Sequence, residues 1–325
     1  SNQSVISTFI NPDMHVNNVE MYDKAMASDV ICFQRPSGPN ALELARLLKR
    51  KGKKIIMDND DTYSGIPLAR LGSEKQVEIA QQLNRNLNEF VKLADGITTS
   101  TQVLADEYAQ LNPNVAVLKN CIDPLDEYPV KKNETGKFRV GFIGSVTSND
   151  DYFHIKEQIR QLDERGDCTI VIMGVKYQDG TIMPSMGEDS DFWKSLKNLE
   201  WHTVCPITEY MANLASLALD VAIIPRKDHY FNKCKSNLKF LEMSLLRIPV
   251  IAQGFPDGSS PYQQDKDYLT LVENNSEWYT KIINIKNNYA KYKDLAEKAH
   301  DYVLENYNIK NYAKIWQQQI ELLCK

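Results

Sequence analysis

The residues best placed to do chemistry together are Lys235, Ser236, Asn237, Lys239 and Glu242. They stand where a polar loop, Arg226 to Lys233, leads through Cys234 into an apolar run, Leu238 to Leu246, at helical spacing. Ser236 is a good N-cap, and the amides behind a helix start make an anion site. Lys235 and Lys239 lie one turn apart and could both face that anion. Lysine at a helix N-terminus opposes the macrodipole unless it has a charged partner, which strengthens the inference. Glu242 sits a further turn along. A carboxylate that accepts two vicinal hydroxyls is a common way of holding ribose. Anion first and sugar second is therefore the natural order of this stretch, although a solvated surface helix would carry the same spacing.

A second candidate is the run Asp58-Asn59-Asp60-Asp61-Thr62, which closes the apolar segment Lys54-Ile55-Ile56-Met57. Three carboxylates crowded at one strand end cost several kcal/mol unless a cation, donor groups or protonation offsets them. Gln34 and Arg35, just after Val30 to Phe33, would look into the same region. The histidines at 15, 154, 202, 229 and 300 form no pair at metal-ligand spacing, and His229 alone lies near the anion loop.

These groups must be carried by alternating strands and helices. Val30–Phe33, Lys54–Met57, Ile97–Thr99 and Val115–Leu118 form one series of buried-type strands. Phe138–Ile143, Cys168–Met173, Leu199–Thr203, Val221–Ile224 and Pro249–Ala252 form a second. Helical patterns between them imply parallel sheets covered on both faces. A polar stretch with two prolines, Pro124 to Lys137, separates the series. Gly144, Gly174 and Cys205-Pro206 follow strand ends, and in open α/β sheets ligands lie outside those ends. The tail, Asn308 to Lys325, is amphipathic, with Tyr312, Ile315, Trp316 and Ile320 on one face, and reads as a packed helix.

Composition sets the outer limits. At 325 residues, 42% of them hydrophobic, the chain has room for two ordinary domains. It holds no run of 18 apolar residues. Ser1 to Ile10 lack the layout of a secretory signal. A net charge of −5 argues against a general polyanion binder. The six cysteines show no Cys-x-x-Cys pair and suit free thiols in a reducing cytoplasm, so a cytoplasmic location is expected.

The run from Pro225 through Phe231-Asn232-Lys233-Cys234-Lys235-Ser236-Asn237-Leu238-Lys239-Phe240-Leu241-Glu242 to Ile248-Pro249-Val250-Ile251-Ala252 resembles the donor-site signature of family 4-type retaining glycosyltransferases. That resemblance implies a GT-B fold: two Rossmann-like parallel-sheet domains facing across a cleft, with a C-terminal helix packing back on the first. The expected division is 1–125, 126–308 and 309–325, the first strand-loop unit being reduced to Val5 to Ile10. Glu242 would match the second glutamate of the family's Glu-x7-Glu motif and hold the donor ribose. Lys235, Ser236, Asn237 and Lys239 would bind the diphosphate. The motif's first glutamate falls at Cys234, which puts the identity of the sugar and its contacts in doubt. Asn120-Cys121-Ile122-Asp123 is similar to the segment that ends the family's N-terminal domain. Gly141-Phe142-Ile143-Gly144-Ser145 is similar to its first donor-domain strand and phosphate-side loop, which assigns Gly144 and Ser145 to the donor. Tyr177, Val204 and Cys205 become candidate base contacts. The family's Arg-x4-Lys pair is missing from Val146 to Phe153, and Arg226 or Lys235 would supply that charge.

The acidic run admits three explanations. In the glycosyltransferase reading it is the acceptor-side loop: Asp60 and Asp61 are catalytic candidates with Lys235 and Lys239, and Gln34, Arg35 and Asp58 are acceptor-side candidates. The rival is a Mg²⁺-dependent haloacid-dehalogenase-type phosphatase, whose nucleophile motif Asp58-x-Asp60-x-Thr62 fits, with Ile97 to Ser100 as second motif and Asp150-Asp151 as a poor acidic match. The Asp-x-Asp metal motif of GT-A enzymes conflicts with the rest of the chain. A non-catalytic nucleotide-binding relative is the remaining alternative. The resemblance implies glycosyl transfer with retention from a nucleoside-diphosphate sugar. It calls for no cofactor and no metal, because lysines and a helix start replace the cation. The acceptor is open among glycan, lipid-linked glycan, protein and modified nucleic-acid base, the last disfavoured by the acidic balance. Peripheral membrane contact is compatible with the chain.

Overall fold

The computed structural model describes residues 19–66, 73–124, 128–144, 149–174, 177–178, 181–182, 189–203 and 205–325. The chain divides into two compact units, and both are built on parallel sheets.

The first unit comprises the chain up to Lys119, together with Cys234–Ser236 and the end from Ala313. Helix α1 (Val19–Ala27) precedes strand β1 (Val30–Gln34). Then follow α2 (Pro39–Arg50), β2 (Lys54–Asn59), α3 (Glu74–Leu93), β3 (Gly96–Thr99), α4 (Gln102–Ala109) and β4 (Val115–Val117). The four strands lie in sequential order, β1-β2-β3-β4, and every pairing is parallel. Ile55, Ile56, Met57 and Ile97 are wholly buried, as expected for strands covered on both faces. Strand β1 is the edge, and of its five residues only Phe33 is buried. Serine and threonine set the helix starts: Ser73 accepts from Gln76 N, and Thr101 accepts from Leu104 N.

The second unit holds Asn120–Lys233 and Asn237–Tyr312. Its elements are β5 (Phe138–Ile143), α5 (Asn149–Phe153), α6 (Lys156–Arg165), β6 (Cys168–Met173), β7 (Tyr177–Gln178), β8 (Thr181–Ile182), α7 (Asp189–Ser195), β9 (Leu199–His202), α8 (Tyr210–Ser216) and β10 (Val221–Ile224). They continue with α9 (Tyr230–Lys233), α10 (Leu238–Leu245), β11 (Val250–Gln253), β12 (Thr270–Val272), α11 (Glu277–Asn287) and α12 (Tyr289–Asn306). The main sheet runs β12-β11-β10-β5-β6-β9, while β7 and β8 form a separate antiparallel pair. Alternation along the strands builds two cores. Ile143, Val171, Met173, Ala222 and Ile224 point to one face, where Leu241 and Val303 meet them. Phe142, Ile170, Ile172, Val221 and Ile223 point to the other, where Ile159, Trp193 and Trp278 lie. Two buried faces explain why the strands read as continuous apolar runs.

The chain enters this sheet at β5, moves outward through β6 and β9, and returns to β10 on the other side of β5. The order reverses between β5 and β10. That reversal is a topological switch point, where the carboxyl ends of neighbouring strands diverge and leave a crevice for a ligand.

Helix α13 (Ile309–Leu323) closes the chain. The face expected to be packed is the more buried one, with Leu323 continuing it a turn further and Ile315 at its margin. Leu323 is buried, whereas Ile315 is exposed and Tyr312, Trp316 and Ile320 are half-buried. Leu323 fits because Gly96 has no side chain: a Cβ there would stand 2.6 Å from the Leu323 Cβ. Asn114 Nδ2 also donates to Leu323 O at 3.0 Å.

Candidate functional site

In the second unit the switch point is flanked by Gly144, after β5, and by Pro225-Arg226, after β10. Gly144 N donates to Met173 O at 3.0 Å, so the chain leaves β5 still tied to β6. The next strand end, Gly174, has φ +101°, and a Cβ there would lie 2.4 Å from Gly144 O. Only glycine tolerates both that dihedral and that approach. Ser145 and Val204, two expected donor contacts, lie outside the described residues. Tyr177 lies in the β7–β8 pair, an element the sequence did not indicate, and its side chain is not among those described. Cys205 is half-buried against the core that includes Leu214 and Ile224.

Helix α10 carries Lys239 and Glu242, one turn apart on consecutive turns. Glu242 is half-buried, and its Oε2 accepts a hydrogen bond from Tyr210 Oη at 2.9 Å. Burial pushes the Glu242 carboxyl above the usual glutamate range, against the opposing pull of Lys239 and the Tyr210 hydroxyl. The Tyr210 phenol is in turn pushed far up, by burial first and by the Glu242 charge second. A carboxylate so placed is short of water and gains from any hydroxyl that approaches it.

The helix start differs from the sequence expectation. Asn237, not Ser236, is the capping residue, and its side chain makes no hydrogen bond to the helix. Its Nδ2 donates to Asp265 Oδ2 at 2.8 Å and to Tyr307 Oη at 3.1 Å. Asp265 is wholly buried, and its carboxylate draws the Asn237 amide inward. The Asn237 side chain is therefore a structural tether, and what the helix start offers an anion is backbone. Ser236 belongs to the first unit.

Lys235 also departs from the expected geometry. It precedes the helix, groups with the first unit, and its Nζ bonds Asp61 Oδ2 at 2.8 Å. Cys234 is buried in the first unit's core beside Tyr108 and Phe90, and its carbonyl accepts from Thr101 Oγ1 at 3.1 Å. A carboxylate in that apolar setting would be expensive, which explains why this chain lacks the first glutamate of the motif.

Arg226 was expected to lend its charge to the diphosphate. It is instead buried, and its Nη1 donates to Asp151 Oδ2 at 3.2 Å. The polar loop around it is more ordered than the sequence suggests, since Tyr230–Lys233 form a short helix. His229, near that loop, meets the Asn232 backbone through Nδ1 at 3.2 Å and serves the loop's own geometry.

The first unit gathers the acidic run at adjoining strand ends, because Gln34 pairs in register with Asp58. Gln34 is exposed. Arg35 has φ +49°, a strained backbone for a residue with a side chain, and its N–H donates to Asp58 O at 2.8 Å. The Arg35 guanidinium stands 3.5 Å from both Asp60 Oδ1 and Asp61 Oδ2. Asp61 thus faces two cations, Arg35 and Lys235, which offset the crowding of carboxylates. Asp58 is turned away from them. Its Oδ1 accepts from Thr98 Oγ1 at 2.6 Å, and burial raises its carboxyl, with Asp60 adding to the rise and Thr98 opposing it. Asn59 and Tyr108, which the sequence gave no role, brace the run through a bond between them and through Tyr108 Oη to Asp61 O at 3.0 Å.

No group of three His, Cys, Asp or Glu side chains suited to a metal is present among the described residues. The phosphatase alternative needs a second acidic strand end, and the Asp150-Asp151 pair is otherwise engaged: Asp151 is wholly buried and bonded by Arg226, Lys227 and Asn232, and Asp150 pairs with Lys227 Nζ.

No family model matches the sequence, and no curated protein does. Solved structures do match. Sucrose-phosphate synthase from Thermosynechococcus elongatus aligns over 94% of this chain and 77% of its own, with a TM-score of 0.67 and 13% identity. HepE of Anabaena, solved with UDP and glucose, aligns over 93% and 80%, with a TM-score of 0.66 and 14% identity. TarM gives a TM-score of 0.64 at 14% identity, over 92% of this chain. The chain spans little more than half of TarM, 56% of its length. Likeness at such identities establishes the fold, and the fold is GT-B, with two Rossmann-like parallel-sheet units.

Proposed function

We propose that the protein is a glycosyltransferase that moves a sugar from a nucleoside-diphosphate sugar to an acceptor. The observation that carries this reading is the arrangement in the second unit. A glycine-lined strand end at the switch point is joined by a helix that presents a lysine and, one turn later, a desolvated carboxylate. Gly144 has no side chain to bar the approach of a diphosphate, the start of α10 offers it backbone amides, Lys239 offers a positive charge, and Glu242 suits the two hydroxyls of a ribose. HepE was solved with UDP and glucose, which supports a donor of this chemical kind.

The leaving group is then a nucleoside diphosphate. Its growing charge would be met by Lys239 and the helix-start amides, an electrostatic arrangement fixed before reaction and in need of no metal. Retention of configuration follows from the family resemblance. Asp60 and Asp61 are assigned to the acceptor or the transferred sugar. Lys235 holds Asp61 in place and is no longer assigned to the diphosphate. Incubation with a panel of nucleotide sugars tests the reading. At least one should release its nucleoside diphosphate, slowly by hydrolysis or faster with an acceptor, and Glu242→Ala should abolish the release. Full release by that variant would remove Glu242 from the donor site.

A further inference from the structure

Arg226 and Asp151 form a buried ion pair that the chemistry above does not use. Asp151 lies in α5, seven residues after Gly144, and is wholly buried. Its carboxylate is met by donors from the segment that leaves β10. These are Arg226 Nη1 at 3.2 Å, Lys227 N at 3.0 Å and Asn232 Nδ2 at 2.8 Å. Asn232 Nδ2 also reaches Lys227 O at 2.9 Å, and Lys227 Nζ bonds Asp150. The two segments that leave the sheet on either side of the switch point are thus laced together through one carboxylate.

The pairing is imperfect. Nε of Arg226 and the hydroxyl of Tyr262, both buried, make no well-formed hydrogen bond, although the two groups feel each other's charge. Tyr262 also feels Glu242. Burying two ions costs desolvation that their attraction often fails to repay. Apolar residues of the same size would commonly give an equally stable fold. Such a pair is better explained by the geometry it enforces than by the stability it adds.

We propose that Arg226 and Asp151 are positioning residues whose buried ion pair sets the spacing between α5 and the β10 exit, and so the width of the crevice that takes the diphosphate. The proposal rests on the nucleoside-diphosphate reading of that crevice. Arg226→Met removes the ion pair while leaving Asp151 its bonds to Lys227 N and Asn232. The double variant Arg226→Met/Asp151→Asn, which leaves no buried charge, should keep its melting temperature within a few degrees of wild type, whereas Arg226→Met alone strands the Asp151 carboxylate and should melt lower. The affinity of Arg226→Met for the nucleoside diphosphate that binds wild type best should fall about tenfold or more. Amide exchange should speed up in 149–153 and 225–233 and nowhere else among the described residues. Arg226→Lys should not restore affinity, because a compact ammonium does not reproduce the shape of the planar guanidinium.

Three results overturn the proposal: unchanged affinity in Arg226→Met, unchanged exchange in both segments, or recovery of inorganic pyrophosphate binding by Arg226→Lys, which would make Arg226 a direct contact. Failure of the donor reading is seen separately, because wild-type protein would then bind no nucleoside diphosphate, while the exchange measurement still reports on the brace. Asp151→Asn alone, which strands Arg226 as a buried cation, should lower the melting temperature more than the double variant does. An equal or smaller loss counts against the brace.

Discussion

Replacing Glu242 by glutamine isolates the charge on which the ribose assignment depends. Glutamine keeps an acceptor for Tyr210 Oη, now 2.9 Å from Oε2, so the fold is not asked to bury an unpaired hydroxyl. What disappears is the negative charge. Hydrogen bonds to charged groups contribute about 1.5–3 kcal/mol and neutral ones about 0.5–1.5. Two hydroxyls facing an amide in place of a carboxylate therefore lose about 2 kcal/mol, roughly 30-fold in Kd. Calorimetry with a nucleoside diphosphate and, in parallel, inorganic pyrophosphate separates this loss from damage to the anion site. The nucleoside diphosphate should weaken by that factor and pyrophosphate should not. The pH dependence has a definite sign. Burial holds the Glu242 carboxyl above the usual glutamate range, so acidification protonates it early and affinity should fall as pH drops through that raised value. Glu242→Gln should abolish this dependence. Equal affinity of both proteins for the nucleoside diphosphate would refute the reasoning, as would a pH profile shared by both.

Lys239→Ala should weaken nucleoside diphosphate and pyrophosphate together, by about tenfold for one charge-assisted contact, and unchanged pyrophosphate binding would place the anion elsewhere. Asp60→Asn should depress transfer by about tenfold or more while donor affinity moves less than about twofold; equal losses would take the acidic run out of the acceptor's half of the reaction. Gly174→Ala should cost about 2–4 kcal/mol in chemical denaturation, since φ +101° and a 2.4 Å approach to Gly144 O both oppose a side chain, and a loss under about 1 kcal/mol would show the turn to be yielding. For Asp58 the raised carboxyl means that the native state holds its proton to higher pH than the unfolded chain, so its contribution is present at low pH and is lost as pH rises through the raised value. Asp58→Asn, which can still accept from Thr98, should therefore melt slightly higher than wild type near neutral pH, by no more than about 4 °C, with the difference vanishing in acid; a lower melting point near neutrality contradicts this.

Sheet strands were easy to read because burial on both faces leaves an uninterrupted apolar run, as in Phe138–Ile143 and Cys168–Met173. The short strand Thr270–Val272 and the β7–β8 pair were not anticipated, and the helix Glu74–Leu93 was expected only as one of the helical patterns between strands, although Val77, Ala80, Leu83, Leu87 and Val91 recur along it at helical spacing. Within the candidate site, Glu242 and Lys239 take the places their helical spacing implied. Three other residues have partners that the sequence did not indicate. Asn237, Lys235 and Arg226 each find a carboxylate distant in sequence, at Asp265, Asp61 and Asp151, and such partners leave no local trace. Cys234 was legible as a departure from the motif, but only its place among Tyr108 and Phe90 gives the reason. The strain at Arg35 could not be foreseen, because nothing in the neighbouring residues demands a left-handed turn there.

Binding of the unaltered protein to nucleoside diphosphates tests the central claim most directly. Thermal melting should be followed against a panel of nucleoside diphosphates and nucleotide sugars, with the matching nucleosides as controls. At least one nucleoside diphosphate should raise the melting temperature by several degrees, as expected for the roughly 2.7 kcal/mol gained at a hundredfold excess over Kd, and its nucleoside should not. No shift with any member of the panel at millimolar concentration would contradict the account.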